Sequence, residues 1–246
     1  MIALPPYRIS FGKDPFTVDG GFWYFINLTS LDVGGRATRF HPHCVIFPPN
    51  YQPSAAPRLI VHFHGLRIAE WDAKPKARNI PDGFGTLTHF KFASSLPRDT
   101  AMLCPIGRPP PYAYTMQSTH GSSEQTRAFI NQLSAITGVR YQDITISGHS
   151  AGGRIAHQML GGGNTGRLLV TRVCLFDAMY NDNVTPYNQW LSKPGREIRV
   201  VGRKNDNIWH HSNALQATGG AKLVRRLSEV SDHWEVVNKY AKEFFA

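Results

Sequence analysis

Strand-like and helix-like segments alternate through the 246 residues, and this predicts an α/β fold with a mostly parallel central sheet flanked by helices on both faces. Three observations carry the reading. The near-continuous apolar run Leu59-Ile60-Val61-His62-Phe63 has the pattern of a strand covered on both faces. Comparable runs recur at 100–105, 143–147 and 170–176, with a clear amphipathic helical stretch among them. The run at 143–147 leads through Gly148-His149-Ser150-Ala151-Gly152 into a helical segment expected to start at Ala151, so strand, sharp turn and helix follow one another.

In chain order, residues 21–28 are aromatic and β-prone and residues 40–47 are a second extended run closed by Pro48-Pro49-Asn50. Both are expected as leading strands, with Asp32-Val33-Gly34-Gly35 as the turn between them. Strand 59–63 ends at His64-Gly65-Leu66, and the mixed stretch 67–96 reads as a long loop with a helix near its end. After strand 100–105, residues 107–123 carry Pro109, Pro110, Pro111, Tyr112 and Tyr114 and are too long for a plain connector, which makes them a candidate border of a binding cleft. A helix begins at Ser123 with Ser122 or Ser123 as cap, places Phe129, Ile130, Leu133 and Ile136 on one face, and stops at Gly138. The helix after Ser150 runs out in Gly161-Gly162-Gly163. Strands then follow at 170–176, 197–201 and 222–230, with a short helix at 187–191 and a closing amphipathic helix at 233–245. No repeat or linker divides the chain, so residues 1–246 read as a single domain.

Composition narrows the function classes. Hydrophobic residues make up 41%, enough for a core, yet the longest apolar runs are strand-sized and no transmembrane span is expected. Residues 1–10 lack the basic and apolar regions of a signal peptide, which fits a cytoplasmic or a processed secreted form. The net charge of +10 comes from scattered Lys and Arg rather than runs, and no zinc-finger spacing or RNP-like stretch is present. Nucleic acid is therefore a poor candidate partner. Cys44, Cys104 and Cys174 all fall inside predicted strands without a C-x-x-C pair, and are expected as buried thiols. His62 with His64 and His41 with His43 have strand-face spacing, but no Cys or carboxylate pattern completes a ligand set, so no metal or other cofactor is expected.

Functional groups of an open α/β sheet gather outside the carboxyl ends of its strands. That rule selects His64-Gly65-Leu66, Ser150, Asp177, the segment 202–207 and Ser231-Asp232-His233. Ser150 is the candidate nucleophile, since a serine hydroxyl becomes reactive once a base takes its proton. Gly148 and Gly152 give the turn room, and the helix behind it directs its positive end toward developing negative charge. His233, a short Ser-Asp turn after the last strand, is the candidate base. Of its competitors, His62 is expected to point into packing, His64 to brace the loop after its strand, and His149 to be unable to turn back on the adjacent serine. His210 and His211 stand in reserve. Asp177 follows its strand directly and Asp206 lies in the polar loop after the next one; both remain candidates for the acid, with Asp177 the better aimed, while Asp232 is expected to cap a turn or helix. Trp71, Tyr112, Tyr114, Tyr180, Trp209 and Trp234 are candidates for lining a cleft or packing the core.

With His64-Gly65 after the third predicted strand, the pentapeptide after the fifth, an acid after a later strand and His233 after the last, the chain resembles the α/β-hydrolase-fold serine hydrolases of the esterase and lipase superfamily. The likeness of layout runs from about residue 40 onward, the pentapeptide is its one specific motif, and no subfamily is singled out. The resemblance implies a Ser150–acid–His233 triad, with the acid at Asp206, the commoner place, or at Asp177, as in pancreatic-type lipases. It also implies an oxyanion hole built from the backbone N–H groups of Ala151 and Leu66. The implied activity is hydrolysis of a small or polymeric carboxylic ester through an acyl-enzyme. Amide or peptide hydrolysis and acyl transfer would use the same triad, and binding of an anionic polymer on such a scaffold is the non-catalytic alternative.

Overall fold

The structure is a computed structural model that describes residues 16–18, 20–31, 37–64, 91–105, 123–161, 169–180, 183–204 and 207–246. Within it, nine strands form one sheet in the order β1-β2-β3-β5-β4-β6-β7-β8-β9. The strands are β1 Phe16–Val18, β2 Gly21–Leu31, β3 Ala37–Phe47, β4 Arg58–Phe63, β5 Thr100–Pro105, β6 Asp143–His149, β7 Val170–Phe176, β8 Glu197–Arg203 and β9 Lys222–Ser228. The helices are α1 Phe92–Ser95, α2 Ser123–Thr137, α3 Gly153–Gly161, α4 Thr185–Leu191, α5 Asn207–Asn213 and α6 Glu235–Phe245. Among the described residues, no helix is long and apolar enough to cross a membrane.

The leading strands β1, β2 and β3 pair antiparallel, and β3 joins β5 antiparallel. From β5 to β9 every pairing is parallel. Each parallel connection needs a crossover, which is why helices cover both faces. The continuous apolar runs of the sequence find their reason here. Leu59, Val61, Ala101, Leu103, Val173 and Leu175 face one core, closed by α2, α3 and α4. Their strand neighbours Ile60, Met102, Cys104, Cys174 and Phe176 face the other, closed by α1 and α6. Consecutive strand side chains point to opposite faces, so a strand buried on both faces has no polar alternation to show.

The helices end where local chemistry stops them. α2 buries Phe129, Ile130 and Leu133, with Ile136 packed against the same core, and breaks at Gly138, whose φ of 66° lies in the left-handed region. α6 buries Val236, Val237, Tyr240, Ala241, Phe244 and Phe245 along one stripe.

Several expectations shift. A short strand, β1, precedes the first expected one, so the strand leading into the sharp turn at Ser150, the elbow, is sixth rather than fifth. The helix at Ala151 begins as a 3₁₀ turn over Ser150–Gly152, and α3 proper starts at Gly153. The strand expected at 222–230 stops at Ser228, and the closing helix begins at Glu235 rather than at residue 233. No helix is expected at 207–213, yet α5 forms there with only Ile208 and Ser212 buried. Seven residues with two buried positions carry no periodic signal, and the helix is instead set against β8, where a Cβ on Gly202 would meet Ile208 Cγ2 at 3.1 Å. The expected turn at 32–35, the loop at 67–90 and the cleft-bordering loop at 107–122 lie outside the described residues. Cys44, Cys104 and Cys174 are free, buried thiols.

Candidate active site

β6 runs between β4 and β7 near the middle of the sheet, with residues 144–149 buried, and delivers its last residue to the carboxyl-end rim. There the chain turns in three residues. Ser150 sits at φ 53°, a left-handed conformation that a non-glycine residue holds only when its surroundings enforce it. They do so by close backbone contact. A Cβ on Gly148 would lie 2.9 Å from the Gly152 carbonyl carbon, and one on Gly152 would lie 2.0 Å from Phe63 O. A Cβ on Gly153 would meet Ala178 O at 2.0 Å, so the third glycine, for which the sequence offers no motif, is equally constrained by β7's exit segment. The Ser150 hydroxyl has one hydrogen-bond partner among the described residues, the Tyr180 hydroxyl at 3.5 Å. Ala151 is buried at the first step of the 3₁₀ turn, so its N–H stands at the amino end of the helical segment behind Ser150. Leu66 lies outside the described residues.

Asp177 follows β7 directly, again at a positive φ of 48°, and its N–H is held by the Val201 carbonyl at 2.8 Å. Its side chain is fully buried. His233 Nδ1 donates to Asp177 Oδ2 at 2.5 Å, and Arg203 Nε donates to the same oxygen at 2.5 Å. The Arg203 main-chain N–H approaches Oδ1 at 3.4 Å. Burial would raise the Asp177 carboxyl, but the hydrogen bond and charge of His233 and then those of Arg203 outweigh it and hold the group below its ordinary range. With the Nδ1 proton committed to a carboxylate, neutral His233 keeps its lone pair on Nε2, the nitrogen a general base uses. Asp206, the other candidate acid, lies outside the described residues.

The remaining histidines sort by their contacts. His149 is buried, donates from Nε2 to the His233 carbonyl at 3.0 Å, and sets its ring centroid 4.4 Å from that of His233. Burial first, then the neighbouring His233, keep its proton affinity well below that of a free imidazole. His62 is buried in β4, hydrogen-bonded through Nδ1 to Ser147 Oγ at 2.9 Å and packed on Phe92, with its pKa lowered to about 3 chiefly by burial. His64 is buried beside the end of β4. His211 donates from Nδ1 to the Met179 carbonyl at 2.9 Å and so secures the segment leading to Tyr180, while His210 is exposed on α5. Asp232 accepts from the N–H groups of Trp234 and Glu235 at 2.7 and 3.3 Å, the capping role expected of it.

The sequence offers Arg203 only within the segment 202–207 and Tyr180 only among several candidate aromatics. Arg203 reaches Asp177 because β8 lies beside β7 in the sheet, a fact no local pattern encodes. Tyr180 is 42% exposed with its hydroxyl beside Ser150; among the aromatics it had no signal to separate it from a packing residue.

No protein-family model matches the sequence, and no curated protein matches it. Solved structures do. An S-formylglutathione hydrolase from Agrobacterium tumefaciens is 15% identical with a TM-score of 0.53, covering 94% of this chain and 95% of that one. A poly(3-hydroxybutyrate) depolymerase from Bordetella parapertussis is 13% identical with a TM-score of 0.57, covering 92% and 88%. The feruloyl esterase module from Clostridium thermocellum is 12% identical with a TM-score of 0.58, covering 94% and 89%.

Proposed function

Proceeding from the α/β-hydrolase fold that this chain adopts, we propose that it is a serine hydrolase that cleaves a carboxylic ester through an acyl-enzyme, with Ser150 as nucleophile, His233 as base and Asp177 as acid. One observation carries the reading. The Asp177–His233 pair and the strained turn of Ser150 meet at one rim, joined by His149, which is chain neighbour to the serine and ring neighbour to the base.

In the proposed cycle, Ser150 Oγ attacks the ester carbonyl carbon while His233 Nε2 takes the hydroxyl proton. Asp177, ionised because its own affinity for protons is depressed, balances the imidazolium that results. The carbonyl oxygen, now an oxyanion, is met by the Ala151 N–H and, in this proposal, by the Leu66 N–H; each such donor contributes about 3 kcal/mol in the transition state. The tetrahedral intermediate collapses with the proton passing from His233 to the departing alcohol oxygen, leaving the acyl group on Ser150. Water then repeats the attack with His233 again as base. Among the described residues the partner of Ser150 Oγ is the Tyr180 hydroxyl at 3.5 Å, and in the proposed cycle Oγ passes its proton to His233 Nε2, a hydrogen bond of the kind that tightens when substrate binds.

The structural neighbours, an S-formylglutathione hydrolase, a poly(3-hydroxybutyrate) depolymerase and a feruloyl esterase, support ester chemistry on this fold. The direct test is Ser150→Ala assayed on a small nitrophenyl ester, together with labelling of the natural-sequence protein by a fluorophosphonate. Loss of turnover with the fold intact, and label on Ser150, are the expected results. Undiminished turnover in the variant overturns the proposal.

A further inference from the structure

Resting on the triad reading above, we propose that Arg203 is a positioning residue of this site: one arginine at the end of β8 clamps the Asp177 carboxylate and tethers the loop that carries His233. The contacts run in both directions. Nε and the main-chain N–H of Arg203 address the two carboxylate oxygens at 2.5 and 3.4 Å, and Nη1 donates to the Ser231 carbonyl at 3.2 Å, two residues before the base. Acid and base therefore share a third anchor besides their own bond. The other arginine of β8, Arg199, serves a different purpose, joining Arg172 and Lys222 around Glu197 at the opposite end of the strand. Arg203 instead pairs, among the described residues, with the carboxylate that holds His233.

This arrangement has two separable consequences. The Nε contact to Oδ2 and the main-chain contact to Oδ1 together fix the carboxylate plane, so that the Oδ2–Nδ1 bond sets the direction of the imidazole, while Nη1 ties the loop of the base through Ser231. The guanidinium charge also competes with the imidazolium for the same oxygen, which weakens the pull of Asp177 on the proton His233 accepts. Among the described residues, the other titratable or charged groups next to His233 in space or in sequence are His149 at the end of β6, Asp232 in its own loop, and Glu235 in the first turn of α6. Asp232 is engaged by helix N–H groups and His149 is held neutral by burial, so among the described residues the cation paired with Asp177 besides His233 is Arg203.

The test compares the natural-sequence protein with Arg203→Met and Arg203→Lys. It reads nitrophenyl ester turnover and the fluorophosphonate labelling rate of Ser150, each as a function of pH. Removing the Nε contact, the Nη1 tether and the charge in the Met variant is expected to lower kcat by about 10- to 100-fold with KM little changed. The acidic limb of both profiles is expected to move to higher pH, because a carboxylate no longer shared with a guanidinium favours the imidazolium more strongly. Lys restores the charge without the paired Nε and Nη1 contacts that join Asp177 to the Ser231 carbonyl, so its limb stays in place while kcat remains reduced; should the Met variant fail to fold, this variant decides alone, and a natural kcat in it overturns the inference. A Met variant with lowered thermal midpoint but unchanged kcat and limb makes Arg203 a structural ion pair and overturns the inference alone. Label on a residue other than Ser150 overturns the triad reading and the inference with it.

Discussion

His149 lies against His233 with ring centroids 4.4 Å apart and planes 34° from parallel, and its Nε2–H is bonded to the carbonyl of the same residue. The variable residue of the G-x-S-x-G turn thus packs against the proposed base, while its chain neighbour is the proposed nucleophile. His149 does not compete for the proton, because burial keeps it neutral. Replacing it with Ala removes both the ring and the donor, and kcat is expected to fall by about 10- to 100-fold, with KM changed far less. Steady-state kinetics of His149→Ala and His149→Gln check this, the latter recovering part of the rate through its amide donor; natural turnover in the Ala variant would refute the supporting role.

The acid can be separated from its alternative by amide substitution. Asp177→Asn keeps the shape and loses the charge that orients and balances His233, so turnover is expected to drop on the order of 10,000-fold. Asp206→Asn is expected to leave most of the rate. Parallel assays of the two decide the matter, and an exchange of these outcomes would move the acid to the loop after β8.

Gly152→Ala tests the turn itself. The added methyl would stand 2.0 Å from Phe63 O, and neither backbone can yield without parting β6 from β4. Stability is expected to fall by about 3 kcal/mol or more, visible as a lower urea midpoint. A midpoint equal to that of the natural sequence would show that the elbow has slack the structure denies.

Acid should unfold the protein in two overlapping stages. Below the ordinary imidazole value of 6.5, the unfolded chain takes up protons at His62 and His149 that the folded chain refuses, since His62 is lowered to about 3 and His149 is lowered as well. The unfolded state then binds more protons, so stability falls continuously as pH drops from about 6.5 toward 3. Asp177 joins below its ordinary value of 3.8, where the unfolded carboxyl protonates before the folded one does. Urea midpoints measured at neutral pH and at mildly acidic pH read the first stage, and a flat profile there would contradict it.

Local chemistry made much of this legible in the sequence. The both-face burial of β4, β5 and β7 leaves uninterrupted apolar runs, α2 announces its end with Gly138, and the glycines around Ser150 mark a turn too tight for side chains. The β-strand segments, the elbow and the terminal histidine are all features whose cause lies within a few residues of themselves. α5 was not legible, for its seven residues take their helical form from packing against Gly202 rather than from a periodicity of their own.

The amino-acid sequence by itself determined the α/β layout, the serine at its turn and the order of candidate groups along the chain, because periodicity, glycine placement and strand ends are local properties. Only the tertiary structure decided which of those groups meet. Asp177, Arg203 and His233 sit after or at the end of three neighbouring strands, the latter two 26 and 56 residues from Asp177, and their convergence depends on the lateral strand order β7-β8-β9. Strand order is fixed by packing across the whole sheet, so the clamp on Asp177 and the His149 ring against His233 appear only once the chain is folded.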